Sequence, residues 1–363
     1  MTAGIGRGEV TGDRPADWVA AWGDTGAARP APRVVDVHSH LMVPESAEMT
    51  RPHLRPEHEP RTFFSSPLTK ELNNEFYGLA GGKYTDPGIR LADMDAMGVD
   101  VQLVALTPFH YFYWADPGLA AAVASLQNER IAEVAASAPD RFVGVGTLPL
   151  GQPDLAVTEV KRVVDLGFPA VEIGADVNGL DLDDPMFEPV WAALEESGLV
   201  VILHPAGFTE AQRMSDFYLV NVIGMPLATT LAVTRLILAG VLERHPDLRM
   251  VLVHGGGYLP FYWARTDHAY RHRPEMRGNI DRLPSDYLDR FHFDITVFDP
   301  DLIGHLIRRF GADRVLLGTD YPFDMGLTDP LGALADTRLD HEQRAMIAGG
   351  NAASLFRLAP GAG

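Results

Sequence analysis

Short apolar runs recur along this chain, and several of them stop at a histidine or an aspartate. Val34-Val35-Asp36-Val37 leads into His38-Ser39-His40, and Leu199-Val200-Val201-Ile202-Leu203 ends at His204-Pro205. Met250-Val251-Leu252-Val253 ends at His254, and Val315-Leu316-Leu317-Gly318-Thr319 ends at Asp320. Valine-rich runs of this length read as strands buried on both faces, as in a parallel sheet. The pattern predicts strands over 33–38, 100–106, 141–147, 170–174, 199–204, 249–254, 291–296 and 314–318.

Helical periodicity fills most of the gaps, over 119–137, 155–166, 189–197 and 230–244. Gly98, Gly167 and Gly198 each fall just before a strand, where a helix C-cap glycine belongs. Strands alternating with helices predict parallel βαβ units, and eight of them predict a closed TIM (β/α)8 barrel. Two stretches break the period, 41–85 after the first strand and 209–228 after the fifth. Both are too long for ordinary connections and read as insertions over the barrel mouth. Residues 1–32 are rich in Gly, Ala and Pro and read as a flexible extension with one aromatic pair, Trp18 and Trp22. The barrel is then expected over 33–358, with a tail at 359–363.

In a (β/α)8 barrel the strand ends gather at one mouth, so packing alone does not explain polar groups there. His38 and His40, at i and i+2 on a strand, point to one side. His204, His254 and Asp320 end three further strands. Together they predict a metal site. Asp36 is expected to accept hydrogen bonds from neighbouring backbone or imidazole N–H groups. The other histidines, His53, His58 and His245 among them, lack this context. The aromatic run Phe109-His110-Tyr111-Phe112-Tyr113-Trp114 either lines the mouth or packs in the core or against a second subunit. Arg265 either grips a substrate carboxylate in two-point fashion or forms an ordinary salt bridge.

Composition narrows the chemistry. Cysteine is absent, so a metal must be held by His, Asp or Glu, a donor set suited to zinc, with manganese possible. With 30 basic and 49 acidic residues the formal charge is −19, which argues against nucleic acid and anionic membranes as partners. An anionic substrate then needs local positive charge. No apolar stretch is expected to approach the ~20 residues of a membrane span, and a cytoplasmic enzyme is the default expectation.

Asp36-Val37-His38-Ser39-His40, Gly144-Val145-Gly146-Thr147-Leu148-Pro149, His204-Pro205, Val222-Ile223-Gly224-Met225-Pro226, His254-Gly255-Gly256-Gly257 and Gly318-Thr319-Asp320-Tyr321-Pro322-Phe323 occur in this order. With them the chain resembles the metal-dependent decarboxylases of the amidohydrolase superfamily, over roughly residues 33 to 358. The resemblance implies a distorted barrel, one divalent ion, usually zinc, and a homodimer. By motif position it implies His38, His40, His204 and Asp320 as ligands. His254 would be a non-ligand acid/base toward metal-bound water, with Asp320 also catalytic. Arg265 and Phe323 would contact substrate, Arg265 from the neighbouring subunit. His38, where the resorcylate-type branch has a glutamate, favours the carboxymuconate-semialdehyde branch.

Two departures concern substrate. The region 76–83 lacks the arginine of that branch and offers only Lys83, and Ala206 follows His204-Pro205 where that branch has a tryptophan. The expected reaction is decarboxylation of a small unsaturated or aromatic carboxylic acid, carboxymuconate-semialdehyde-like or hydroxybenzoate-like, with no organic cofactor. Hydrolysis or hydration of a related ring-cleavage product on the same scaffold is the alternative, and a non-enzymatic barrel a third.

Overall fold

The computed structural model describes residues 33–359. The extension at 1–32, with Trp18 and Trp22, and the end of the tail lie outside the described residues. All eight expected strands form: β1 (Val35–Leu41), β2 (Val101–Leu106), β3 (Phe142–Thr147), β4 (Ala170–Ile173), β5 (Val200–Leu203), β6 (Arg249–Leu252), β7 (Phe291–Asp294) and β8 (Val315–Leu316). They pair in sequence order and every pairing is parallel.

β8 returns to β1 and closes the barrel. Val37 N donates to Leu317 O at 3.0 Å, Asp320 N to His38 O at 2.8 Å and His40 N to Tyr321 O at 2.7 Å. The register of β1 against β2 shifts between Asp36 and Ser39, so β1 carries a bulge at the His-x-His motif. Bulges re-aim side chains at barrel rims. This seam is polar as well as closed. Asp36 accepts from His38 N (3.1 Å), Thr319 N (3.0 Å), Thr319 Oγ1 (2.6 Å) and Gln102 Nε2 (2.8 Å). Four donors make a fully buried carboxylate tolerable there.

Helices cover the sheet: α1 (Pro67–Thr85), α2 (Pro87–Met97), α3 (Pro117–Ser137), α4 (Pro153–Asp165), α5 (Glu188–Ser197), α6 (Met225–Leu238), α7 (Leu259–His272) and α8 (Pro300–Phe310). α8 illustrates the rule. Asp299 caps it by accepting from Asp301 N (2.8 Å) and Leu302 N (3.2 Å), and Ile303, Leu306, Ile307 and Phe310 form its buried stripe. Each such side chain contributes about 1.5–3 kcal/mol on burial.

Three expectations are corrected. The insertion at 41–85, for which the sequence predicts no elements, is mainly helical, with the 19-residue α1 inside it. The segment 230–244 is not one helix, because Gly240 (φ 74°) ends α6 before the short turn Val241–Arg244. One helical run, Val220–Leu238, has the length and composition to cross a membrane. It is a barrel-wall helix: Ala228, Ala232, Val233, Leu236 and Ile237 face the core.

Candidate metal centre and substrate cavity

The five strand-end residues meet. His38 and His40 lie in β1, His204 directly follows β5, His254 follows β6 by two residues and Asp320 follows β8 by four. Ring centroids are 5.1 Å apart for His38 and His40, 5.1 Å for His38 and His204, and 4.8 Å for His40 and His204. His254 lies 5.0 Å from both His38 and His204. Asp320 is the hub. Its Oδ1 lies 3.0 Å from His40 Nε2, 3.3 Å from His38 Nε2 and 4.0 Å from His204 Nε2, and its Oδ2 lies 3.4 Å from His254 Nε2.

Three of the imidazoles are tied at Nδ1. His38 Nδ1 meets Asp294 Oδ2 at 2.6 Å, His40 Nδ1 donates to Leu106 O at 3.0 Å and His204 Nδ1 donates to Pro205 O at 2.8 Å. Such bonds fix ring orientation and leave the Nε2 lone pair toward the centre, as metal-ligating histidines require. His38 Nε2 and His204 Nε2 are buried with no hydrogen-bond partner. Two unpartnered basic nitrogens beside a carboxylate are costly in an interior unless a cation is shared between them. The donors therefore fit a divalent metal ion. One ligand atom from each of His38, His204, His254 and Asp320 lies within 4.8 Å of the others, a grouping that includes His254 and leaves His40 outside. His254 differs in another respect: its Nδ1 has no partner, and its side chain is 17% exposed where that of His38 is 0%.

The electrostatics are coupled. Burial opposes charge on His38, yet the Asp320 and Asp294 carboxylates hold its pKa well above the ordinary imidazole value. Burial pushes His204 well below that value. Burial alone would raise Asp320, but the His38 charge and the adjoining His204 and His254 imidazoles hold it well below the ordinary carboxyl range. Backbone strain marks the same residues, since His254 (φ 53°) and Asp320 (φ 60°) are both left-handed. Each costs of the order of 1–3 kcal/mol unless the surroundings over-determine it. At His254 they do. Gly255 (φ 59°) abuts Val297 and Gly257 (φ 64°) abuts Pro226 O so closely that a Cβ at either would clash, at 2.3 and 2.4 Å.

Above this floor opens a cavity of about 440 Å³. His204, His254 and Asp320 form its base, and Arg61, Phe109 and Phe323 lie around it. Phe323 packs on His40 with centroids 5.0 Å apart. Arg265 does not line this cavity. It is exposed on α7, and among the described residues no hydrogen bond or ion pair engages it. Lys83 is also elsewhere, paired with Asp93 at 2.7 Å.

Sequence reasoning missed Arg61 and Asp294. Arg61 lies in the first insertion, buried at 8% exposure. It donates to the hydroxyls of Tyr77 and Tyr218, both at 3.1 Å, and sits 5.3 Å from the Phe323 ring centroid. Its Nε has no partner, and no ion pair to it occurs among the described residues. No periodicity marks a lone arginine in a Pro-rich insertion. Asp294 closes the strand Phe291-His292-Phe293, a run that His292 interrupts, and Glu172, whose Oε1 lies 3.9 Å from His40 Nδ1, is an acid inside β4.

A family model described as Amidohydrolase matches residues 35–358. The 2-amino-3-carboxymuconate-6-semialdehyde decarboxylase of Dictyostelium discoideum is 33% identical over 293 residues, 80% of this chain and 81% of that protein. Gamma-resorcylate decarboxylase from Rhizobium sp. (strain MTP-10005) is 30% identical over 287 residues, 74% of this chain and 86% of that one. The crystal structure of a 5-carboxyvanillate decarboxylase from Sphingomonas paucimobilis superposes with a TM-score of 0.80 at 26% identity, covering 90% of this chain and 100% of that one. The match begins at the strand that carries His38 and His40 and runs past the loop that carries Asp320, and on that extent the chain belongs to the amidohydrolase family.

Proposed function

We propose that this protein is a metal-dependent, non-oxidative decarboxylase of a small unsaturated or aromatic carboxylic acid. One observation carries the reading. A buried arginine with no carboxylate partner shares an apolar cavity with an imidazole–carboxylate floor. Asp324 acts on this guanidinium only from a distance, and a substrate carboxylate in contact with it would add charge-assisted hydrogen bonds that offset the cost of burying the charge.

His38, His40, His204 and Asp320 are the ligand set we favour, because the three histidines are those anchored at Nδ1. Zinc suits three imidazoles and a carboxylate, and manganese is the second choice. A divalent ion held by these residues would supply Lewis acidity toward the negative charge left on the carbon skeleton when CO2 departs. Arg61 and Phe323 hold and orient the acid over the floor. In the reaction the C–C bond to the carboxylate breaks, its electrons stay on the carbon, and a proton takes the place of CO2. His254, unanchored, partly exposed to the cavity and 3.4 Å from Asp320 Oδ2, is placed to hold that proton beside Asp320 and move it to the carbon.

Arg265 acts in this reading across a homodimer. Phe261 and Tyr262 precede it on α7 by four and three residues, on the same helix face, and are 38% and 65% exposed. An exposed apolar face of this kind suits a second copy, which would carry Arg265 toward the partner's cavity. The test is CO2 release by the metal-loaded protein across carboxymuconates and hydroxybenzoates, with 18O-water present. CO2 without label in the organic product supports decarboxylation. Labelled product without CO2 means hydrolysis or hydration.

A further inference from the structure

A second cavity, of about 480 Å³, adjoins the first. The two share Arg61, Pro108, Phe109 and Ala206. The outer chamber is walled by aromatic rings from two separate parts of the chain. His58, in the first insertion, stacks on Trp114, after β2, at 4.4 Å and 15° between planes. Phe112, in the same wall, has φ 47°, a region a bulky side chain adopts only when its surroundings hold it there. The remaining wall is polar and acidic: Glu57 and Glu59 come from the first insertion, Asp176 and Asn178 follow β4, and Asp176 accepts from Gly179 N through Oδ1 at 2.8 Å.

A monocyclic acid held at the metal floor by Arg61 has no use for this space. Either chamber alone is in the size range of a small-molecule site, and at the junction, which Arg61, Pro108 and Phe109 also line, Ala206 contributes only a methyl group. We propose that the outer chamber is a second subsite of the active site, which takes the distal aromatic ring of a two-ring carboxylic acid, with a hydroxyl or amino donor on that ring facing Asp176. The inference rests on the decarboxylase reading for the proximal half of the molecule. Stacking against Trp114, Phe112 and Phe109 supplies affinity, since aromatic pairs add to what area burial gives. Asp176 selects a donor-bearing ring over a bare or anionic one. Burial holds its carboxyl above the ordinary range, so a hydrogen-bond donor is a favourable partner.

The test compares 2,6-dihydroxybenzoate with the same acid extended by a hydroxyphenyl ring, on the metal-loaded protein. Binding is measured by calorimetry and turnover by CO2 release. The extended acid is expected to bind about tenfold tighter or better. Trp114→Ala should bring the pair close to parity. Ala206→Phe, which narrows the junction, should do the same from the opposite direction. Asp176→Asn should reduce the preference for the hydroxylated over the bare distal ring. Equal affinity of the two acids, or variants that weaken both acids in equal proportion, would overturn the subsite. If the extended acid binds tighter but neither acid releases CO2, the subsite stands and the decarboxylase reading fails.

Discussion

The floor of this site and its cover are built on different principles. The floor is rigid. His38, His40, His204 and Asp320 hang from strand ends of a closed sheet, are buried, and are held by the backbone or by a carboxylate. The cover comes mainly from the two insertions, and its polar groups meet each other and the loop after β8 rather than the sheet: Arg61 with Tyr77 and Tyr218, and Tyr218 with Asp324 of that loop at 3.5 Å. The difference separates reaction from selection. A barrel mouth fixes donors to within a fraction of an ångström, while loops above it vary in length and content. Reaction class is therefore read from the floor and substrate from the cover.

Variants that break the floor should have the largest effects. Asp320→Ala removes the carboxylate that every central imidazole faces, and both bound metal and turnover should be lost, as measured by elemental analysis and CO2 release. His254→Ala should cut turnover by roughly 10²–10⁴-fold, the span of a positioned acid/base, while metal content is retained. Asp294→Asn, which alters the tie to His38 Nδ1 at a carboxylate that also accepts from Gly255 N and from Thr296, should weaken metal affinity by about 10–100-fold in a chelator competition, with the fold intact by circular dichroism. Preserved affinity there would mean that the His38 tie does not matter.

Cover variants should act on substrate alone. Arg61→Met should raise KM by about 10–100-fold, the worth of a charge-assisted hydrogen bond, with metal content unchanged. Loss of metal in that variant would erase the distinction between cover and floor. Arg265→Ala should have a smaller effect on KM. Mixing it with an inactive His254→Ala protein should restore activity only if the two subunits exchange arginines.

The smallest effect is on stability, and it compares one histidine in the wall with one in the cover. Burial lowers the pKa of His292, in β7, to about 4, with Arg314 adding to it, and burial lowers that of His110, after β2, to about 4 as well. Folded pKa values below that of the unfolded chain mean that the unfolded state takes up the protons first. Stability is thus full above about pH 6.5 and falls as pH drops toward 4, by up to a few kcal/mol per histidine. Denaturant titrations at stepped pH should show this slope, and His292→Gln should flatten it.

How much of this the sequence shows follows the same division. Buried parallel strands are largely apolar runs, so all eight were legible, and a polar group closing such a run stands out against it. His38, His40, His204, His254 and Asp320 were visible for that reason, as were the C-caps at Gly98 (φ 70°), Gly167 (φ 78°) and Gly198 (φ 66°). Asp294 stands out less, because His292 interrupts its run and Ile295 follows it. The cover was not legible. The long helix α1 has a weakly amphipathic sequence and few buried residues, only Thr69, Ala80 and Tyr84, so its periodicity is faint. Arg61 acquires meaning only when the fold buries it beside Phe323, with Asp324 near it but not in contact. Lys83 was the nearest cation by sequence and is tied to Asp93.

The assignment of His40 and His254 bears most directly on the account. Both imidazoles face Asp320, but only His40 is anchored at Nδ1. Elemental analysis of His40→Ala and His254→Ala, purified in parallel and dialysed against the same metal buffer, separates ligand from proton carrier. The account predicts about one metal ion per chain in the His254 variant and a marked loss in the His40 variant. A His254 variant that loses its metal while the His40 variant keeps it would contradict the account.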